Sequence, residues 1–169
     1  MESAVDDVVD VLRESFDLVY TGVGARCWLP SAQRWAAAVG RLLGPGGRLY
    51  LRDFHPILHA LDDERDDQLL VVEHPYFETP EPNRWESTVS YTASKEAVAQ
   101  PVTYEWNHGL GEVVQAVLDA GLRLIRLEEH REIESAFFAW MVPAGGGRRR
   151  LGTRPERLPL MFTLEAVKA

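Results

Sequence analysis

Cysteine is almost absent from this chain. The single Cys27 excludes an internal disulfide and any zinc site built from cysteines, and fits a reducing cytoplasm. Lysine is nearly as rare: Lys95 and Lys168 are the only two, so arginine carries the remaining positive charge. Long apolar runs are missing as well. The opening "MESAVDDVVDVL" is acidic, and "AFFAWMVPAGGG" is broken by proline and glycine, so neither reads as a signal peptide or a membrane span. Acid outweighs base, with a net charge of -8 and a pI of about 5.1, which argues against general attraction to nucleic acid or an anionic membrane surface. The local exception is Arg148, Arg149, Arg150, Arg154 and Arg157, which follow Gly145-Gly146-Gly147 and enclose Pro155. That cluster reads first as a solvated loop, with a phosphate or RNA patch as the alternative.

What is present is enough for one core. The 169 residues are 46% apolar, most simply a single domain. Val5, Val8, Val9 and Leu12 share one face of a helix expected over residues 4 to 13. "FDLVY" from Phe16 is a short apolar run of the kind found in parallel strands buried on both faces. After Pro30, "SAQRWAAAVGRLL" puts Trp35, Val39, Leu42 and Leu43 on one side of a helix that Ser31 can cap. Gly44-Pro45-Gly46-Gly47 ends it, and "RLYLRDF" is the next strand, making one right-handed strand, helix, strand unit. Residues 54 to 105 carry many prolines and aromatics. In them "QLLVVEHPYF" and "STVSYT" alternate and can pair as an inserted antiparallel arm or lid. "GLGEVVQAVLDAG" is a helix stopped by Gly121, and "LRLIRLEEH" a strand. Residues 131 to 157 show no regular pattern, and "LPLMFTLEAVK" is a closing strand that can return antiparallel.

Gly22 and Gly24 follow the first strand, yet a dinucleotide fingerprint is lacking. Position 27 is cysteine rather than a third glycine, the helix waits until after Pro30, and the residue twenty positions past Gly24 is Gly44 rather than an acid. Glycines that permit a tight turn are the simpler reading.

The order Phe16-Asp17-Leu18-Val19, helix, Leu43-Gly44-Pro45-Gly46-Gly47, apolar strand resembles the stretch from the fourth to the fifth strand of class I S-adenosylmethionine-dependent methyltransferases. "TYEWNHGLGEVVQAVLDAGLRLIRLEEH", with Ala120-Gly121-Leu122 at its corner, resembles the family's next helix and sixth strand. "PLMFTLEAVK" resembles its antiparallel seventh strand. The resemblance implies an α/β fold: a partial Rossmann-like methyltransferase sheet, mixed, with the last strand antiparallel and inserted between the second and third strands seen here. The family's acid-x-Gly-x-Gly cofactor loop and its ribose-binding acid have no counterpart before "FDLVY". Neither Gly109-x-Gly111 nor Gly145-Gly146-Gly147 substitutes for the loop. Where the family often has an acid near the adenine, this chain offers Ser3-Ala4. Residues 1 to 169 therefore read as a single C-terminal portion of such a domain, with 54 to 105 inserted in it.

Methyl transfer from a sulfonium needs alignment and sometimes a base. The resemblance places Thr21, Gly22, Val23 and Gly24, with Trp28 nearby, against the cofactor's methionine end and the acceptor. His55, Tyr104 and Trp106 are candidates for contact with a small-molecule acceptor. Tyr76, Phe77, Trp85, Tyr91, Tyr104 and Trp106 either wall that pocket or form the lid's own core. His108, at the start of a helix whose positive end favours a neutral imidazole, is the candidate base; a capping role for Asn107 or His108 is the alternative. Asp53 and His55 have the spacing of two metal ligands but no third, so no metal is expected. In the first functional reading S-adenosylmethionine is the cofactor of the complete domain, bound weakly or not at all by this chain alone. The second is a non-catalytic module that self-associates, most simply as a homodimer through residues 16 to 21, or pairs with a complementary half. Neither a nucleic-acid nor a membrane partner is expected.

Overall fold

The computed structural model describes residues 5, 7–87 and 100–169. In chain order they form α1 (Val8–Leu12), β1 (Phe16–Thr21), a single 3₁₀ turn (Arg26–Trp28), α2 (Ala32–Leu42), β2 (Leu43–Phe54), α3 (Pro56–His59), β3 (Asn83–Glu86) and β4 (Val102–Glu105). After these come α4 (Leu110–Asp119), β5 (Leu122–His130), β6 (Val142–Gly145), β7 (Arg148–Arg150) and β8 (Met161–Lys168). One sheet has the order β1-β2-β8-β5, with β1 parallel to β2 and β8 antiparallel to both its neighbours. This is the mixed sheet, with the last strand inserted between second and third, that the sequence leads one to expect.

Period-two burial sets the core. Leu49 and Leu51 of β2, with Phe162, Leu164 and Ala166 of β8, turn to one face, where α2 and α4 cover them with Trp35, Ala36, Val39, Val113, Ala116 and Val117. The two helices approach closely because position 40 has no side chain: a Cβ there would stand 2.9 Å from the Ala120 carbonyl oxygen. Ser31 Oγ accepts from Arg34 N–H at the start of α2, and Lys168 Nζ donates to the Gly40 and Leu43 carbonyls at 2.7 and 2.6 Å at its end.

A second core lies at the carboxyl end of β2. Leu58, Leu61, Ile133, Phe138, Met141, Leu151, Leu160 and Met161 meet there, with Phe54, Phe137 and Trp140 against them. It accounts for one departure from expectation. Residues 131 to 157 are not patternless: β6 and β7 form a hairpin whose turn is Gly145-Gly146-Gly147, all at positive φ, and Ile133 bridges to Arg149. Arg148, Arg149 and Arg150 form β7 of that hairpin, where Arg148 pairs with Glu132 at 2.9 Å, and Arg154 and Arg157 follow it.

In the inserted segment the antiparallel pair among the described residues is β3 with β4. The expected arm pairs residues 68 to 77 with 87 to 92. In the first of those stretches Val72 makes an isolated bridge to Leu61, while residues 88 to 92, and Tyr91 with them, lie outside the described residues. Glycine-rich residues 44 to 47 are also not a clean stop. β2 begins at Leu43, and its register against β1 slips between Phe16↔Leu43 and Leu18↔Arg48. Of the helix expected over 4 to 13, Val8–Leu12 is helical, and Ser3-Ala4 lie outside the described residues.

β1 stands at the end of the sheet order, bonded along one edge among the described residues. Burial on both faces is not found: Phe16, Leu18 and Tyr20 are open to solvent, Leu18 at 59% and Tyr20 at 60% exposure. Tyr20 leans on Tyr50 across the strand pair, ring centroids 5.9 Å apart. Val19 packs against the core, and Thr21 Oγ1 accepts from Trp35 Nε1 at 3.3 Å, so only the face away from α2 is bare.

Candidate functional site

The carboxyl ends of β1 and β2 bring the turn Thr21–Gly24 and Asp53 together. Gly24 takes φ +74°, a conformation that favours glycine, and this points its N–H at Asp53 Oδ1, 2.8 Å away. The same oxygen accepts from Phe54 N–H at 2.9 Å, while Oδ2 accepts from Arg26 Nε at 2.9 Å. Both side chains of this ion pair are almost fully buried, and the guanidinium also lies over the Phe162 ring, 5.3 Å from its centroid. Burial lowers the Arg26 pKa and the facing carboxylate opposes the shift. The glycine turn is thus clamped to the end of β2 by a desolvated charge pair. Val23 and Trp28, by contrast, are exposed beside it.

Residues 106 to 108 close the cleft from the other side. Trp106 N–H donates to the Cys27 carbonyl at 2.8 Å, and Asn107 Nδ2 donates to the Pro56 and Pro75 carbonyls at 2.9 and 3.0 Å. His108 is buried. Its Nδ1 lies 2.8 Å from Glu78 Oε2, and its Nε2 lies 2.9 Å from the Leu29 carbonyl and 3.3 Å from that of Arg26. Both ring nitrogens face acceptor oxygens, so in this arrangement the imidazole fastens three segments and neither nitrogen is open to a substrate. Glu78 Oε2 also accepts from Ala32 N–H at 2.9 Å at the start of α2. Glu112 Oε2 accepts from Gly109 N–H at 2.8 Å and from Glu78 N–H at 3.0 Å.

His55 is buried at the entry to α3, where Nδ1 accepts from Ile57 N–H at 3.1 Å. Its Nε2 lies 2.9 Å from Glu129 Oε1, off the line of a hydrogen bond. Burial lowers its pKa, and Glu129 opposes the shift. His59, among Phe54 and Phe137, is pushed down to about 4 by burial. Gly24, Arg26, Cys27, Asp53, His59 and Trp106 line a cleft of about 10 Å³. Tyr104 is exposed on β4 outside it, and Phe77 is exposed beside a separate groove of about 700 Å³ between the starts of α2 and α4. Phe77, Tyr104 and Trp106 therefore do not converge on one pocket. Among the described residues no cluster of three histidine, cysteine, aspartate or glutamate side chains is placed to hold a metal ion.

Sequence reasoning brings Thr21, Gly22, Gly24 and Trp106 to this place, but misses Arg26 and Glu78. No periodic pattern marks either. The one available signal is Asp53, an acid ending an apolar strand beside a glycine turn.

Burial, with Glu105 and Asp53 adding to it, pushes the Cys27 thiol up to about 12. At pH 8 only about one thiol in ten thousand is then ionised. Alkylation by iodoacetamide at that pH is expected to run about a hundredfold or more below the rate of a cysteine in an unfolded peptide; a rate within tenfold contradicts the half-buried, desolvated setting of the thiol.

No family model matches the chain, and no curated sequence does. Solved structures do. A Listeria monocytogenes protein assigned as an S-adenosylmethionine-dependent methyltransferase matches all of this chain at TM-score 0.60 and 16% identity, over 68% of its own length. An S-adenosylmethionine-dependent methyltransferase from Mesorhizobium loti matches 91% of the chain at TM-score 0.55 and 18% identity, over 62% of its length. The glycopeptide N-methyltransferase MtfA, in complex with S-adenosyl-L-homocysteine, matches all of it at TM-score 0.52 and 17% identity, over 60% of its length. The chain has the fold of class I S-adenosylmethionine-dependent methyltransferases, and spans about two thirds or less of the structures it resembles.

Proposed function

We propose that this chain forms the acceptor-facing part of an S-adenosylmethionine-dependent methyl-transfer site for a small molecule. The observation that carries this reading is the order β1-β2-β8-β5 with β8 antiparallel, in a fold shared with methyltransferases. The cofactor, when bound, supplies a sulfonium-activated methyl group, so the protein's task is alignment. In the proposal Thr21, Gly22, Val23 and Gly24, with Trp28, face its methionine end, and His55, Tyr104 and Trp106 stand on the acceptor side. His108 acts by holding the Arg26–Leu29 turn in place.

The residues on hand fit only one wall of such a cofactor site. The cleft beside Gly24 has room for a water-sized group, and the sequence contains neither the acid-x-Gly-x-Gly loop nor the ribose carboxylate. The chain alone is accordingly proposed to bind S-adenosylmethionine weakly or not at all. The bare apolar surface of β1 supports self-association there, most simply as a twofold dimer, and the same surface favours the second reading, a non-catalytic module. A cytoplasmic setting belongs to the proposal. Among the described residues no helix is long and apolar enough to cross a membrane, and Cys27 is free.

Calorimetric titration with S-adenosylmethionine, together with light scattering, tests this. Dissociation weaker than about 1 mM and a dimer mass at high concentration are expected. Micromolar affinity contradicts the incomplete site, and a monodisperse monomer contradicts the β1 interface.

A further inference from the structure

Two buried hydrogen-bond donors at the carboxyl end of the sheet have no acceptor among the described residues. The Arg26 side chain is 6% exposed and held through Nε by Asp53, yet its Nη1 is buried without a partner. Trp106 Nε1 is likewise buried and unpartnered. Both side chains line the same cleft, with Gly24, Phe54 and His59. An unpaired buried N–H is costly, so two around one small cavity point to an oxygen that the fold is built to receive. The cleft, about 10 Å³, takes one oxygen-sized group and no ring.

We propose that this cleft is a recognition subsite for an uncharged carbonyl oxygen, of the amide or ketone class, received between Arg26 Nη1 and Trp106 Nε1. Calling that oxygen part of the methyl acceptor rests on the function proposed above, and names the acceptor's class. Charge decides between a neutral and an anionic oxygen. Asp53 already offsets the Arg26 charge, Glu105 acts electrostatically on Cys27 of the cleft wall, and Glu78 is paired with His108, which lines it. A carboxylate would place a further negative charge in this desolvated space without a free cation, whereas a carbonyl needs only the two donors. His59 adds none at neutral pH, because burial keeps it uncharged. Gly24 belongs both to the cleft and to the turn proposed to face the methyl donor, so a carbonyl seated here anchors its molecule beside that turn.

The test uses the full 169-residue chain, ¹⁵N-labelled and without cofactor, titrated with N-methylacetamide and separately with acetate. The reporters are the Trp106 indole N–H resonance, assigned with Trp106→Phe, and the Arg26 Nε–H resonance. Saturable shifts of both with N-methylacetamide are expected, at least about fivefold weaker with acetate. In Trp106→Phe, which leaves the Arg26–Asp53 pair intact, the Arg26 response to the amide should weaken by about threefold or more. An equal or stronger response to acetate overturns the proposal in favour of an anion site. No response to either probe, with the indole N–H in contact with a resident water only, overturns it outright. Because neither cofactor nor turnover is involved, these failures are distinct from failure of the methyl-transfer reading.

Discussion

Asp53→Ala is expected to lower the unfolding free energy by about 3–5 kcal/mol, because it strands the Arg26 guanidinium in a desolvated site. Arg26 sits at 6% side-chain exposure with a carboxylate oxygen 2.9 Å from Nε, and the cleft it lines, about 10 Å³, has room for no more than one water. The same substitution frees the N–H groups of Gly24 and Phe54, which now share Oδ1. Removing both charges at once, as Arg26→Met with Asp53→Leu, should cost less than Asp53→Ala alone, since a buried pair replaced by apolar groups is often close to neutral. Urea denaturation of the single and double variants checks both statements. A single-variant loss below about 1 kcal/mol would mean that the pair is not desolvated as described.

Acidification is expected to destabilise the protein between about pH 6.5 and pH 4. The folded-state pKa of His59 lies near 4, below its ordinary 6.5, so in that window the unfolded chain binds the proton and the folded chain does not. The contribution is therefore fully present above pH 6.5 and lost as the pH falls towards 4. For His59 the span corresponds to a loss on the order of 3 kcal/mol. His55, lowered in the same direction by burial, adds to the slope. Glu105, raised by burial, opposes it in the acid part of the window, since its folded form holds the proton more tightly. Urea midpoints measured at pH 7.5, 6.5, 5.5 and 4.5 should fall with pH, and His59→Gln should flatten the profile. A profile that is flat in the unaltered protein contradicts the burial of His59 in an uncharged state.

The sheet was legible in the sequence because its strands carry local signatures. "FDLVY" is apolar except for Asp17, Gly44-Pro45-Gly46-Gly47 marks the passage from helix to strand, and Gly121 closes α4 with a positive φ. The hairpin of β6 and β7 was hidden, since three glycines and three arginines read as solvated loop, and what makes these residues structural is a distant core containing Ile133 and Leu151. In the inserted segment the β3–β4 pair carries no such signal, and alternation in "QLLVVEHPYF" marks an extended stretch without naming its partner. At the site, the glycine turn was visible and the clamp on it was not. Arg26 and Asp53 are 27 positions apart, and Glu78 meets His108 across 30, so only the folded chain reveals that these charges are paired. His108 was singled out from its place before a helix, which says where the ring is but not that carbonyl and carboxylate oxygens already occupy both its nitrogens.

The central claim, that the turn after β1 is the cofactor-facing wall of a methyl-transfer site, is tested most directly by mapping S-adenosylhomocysteine onto the ¹⁵N-labelled chain at millimolar concentration. The account predicts that the amide resonances that move are those of Thr21, Gly22, Val23 and Gly24, with dissociation weaker than about 1 mM. Shifts centred on the groove at Phe77, Glu78 and Glu112, with none at the turn, would contradict it.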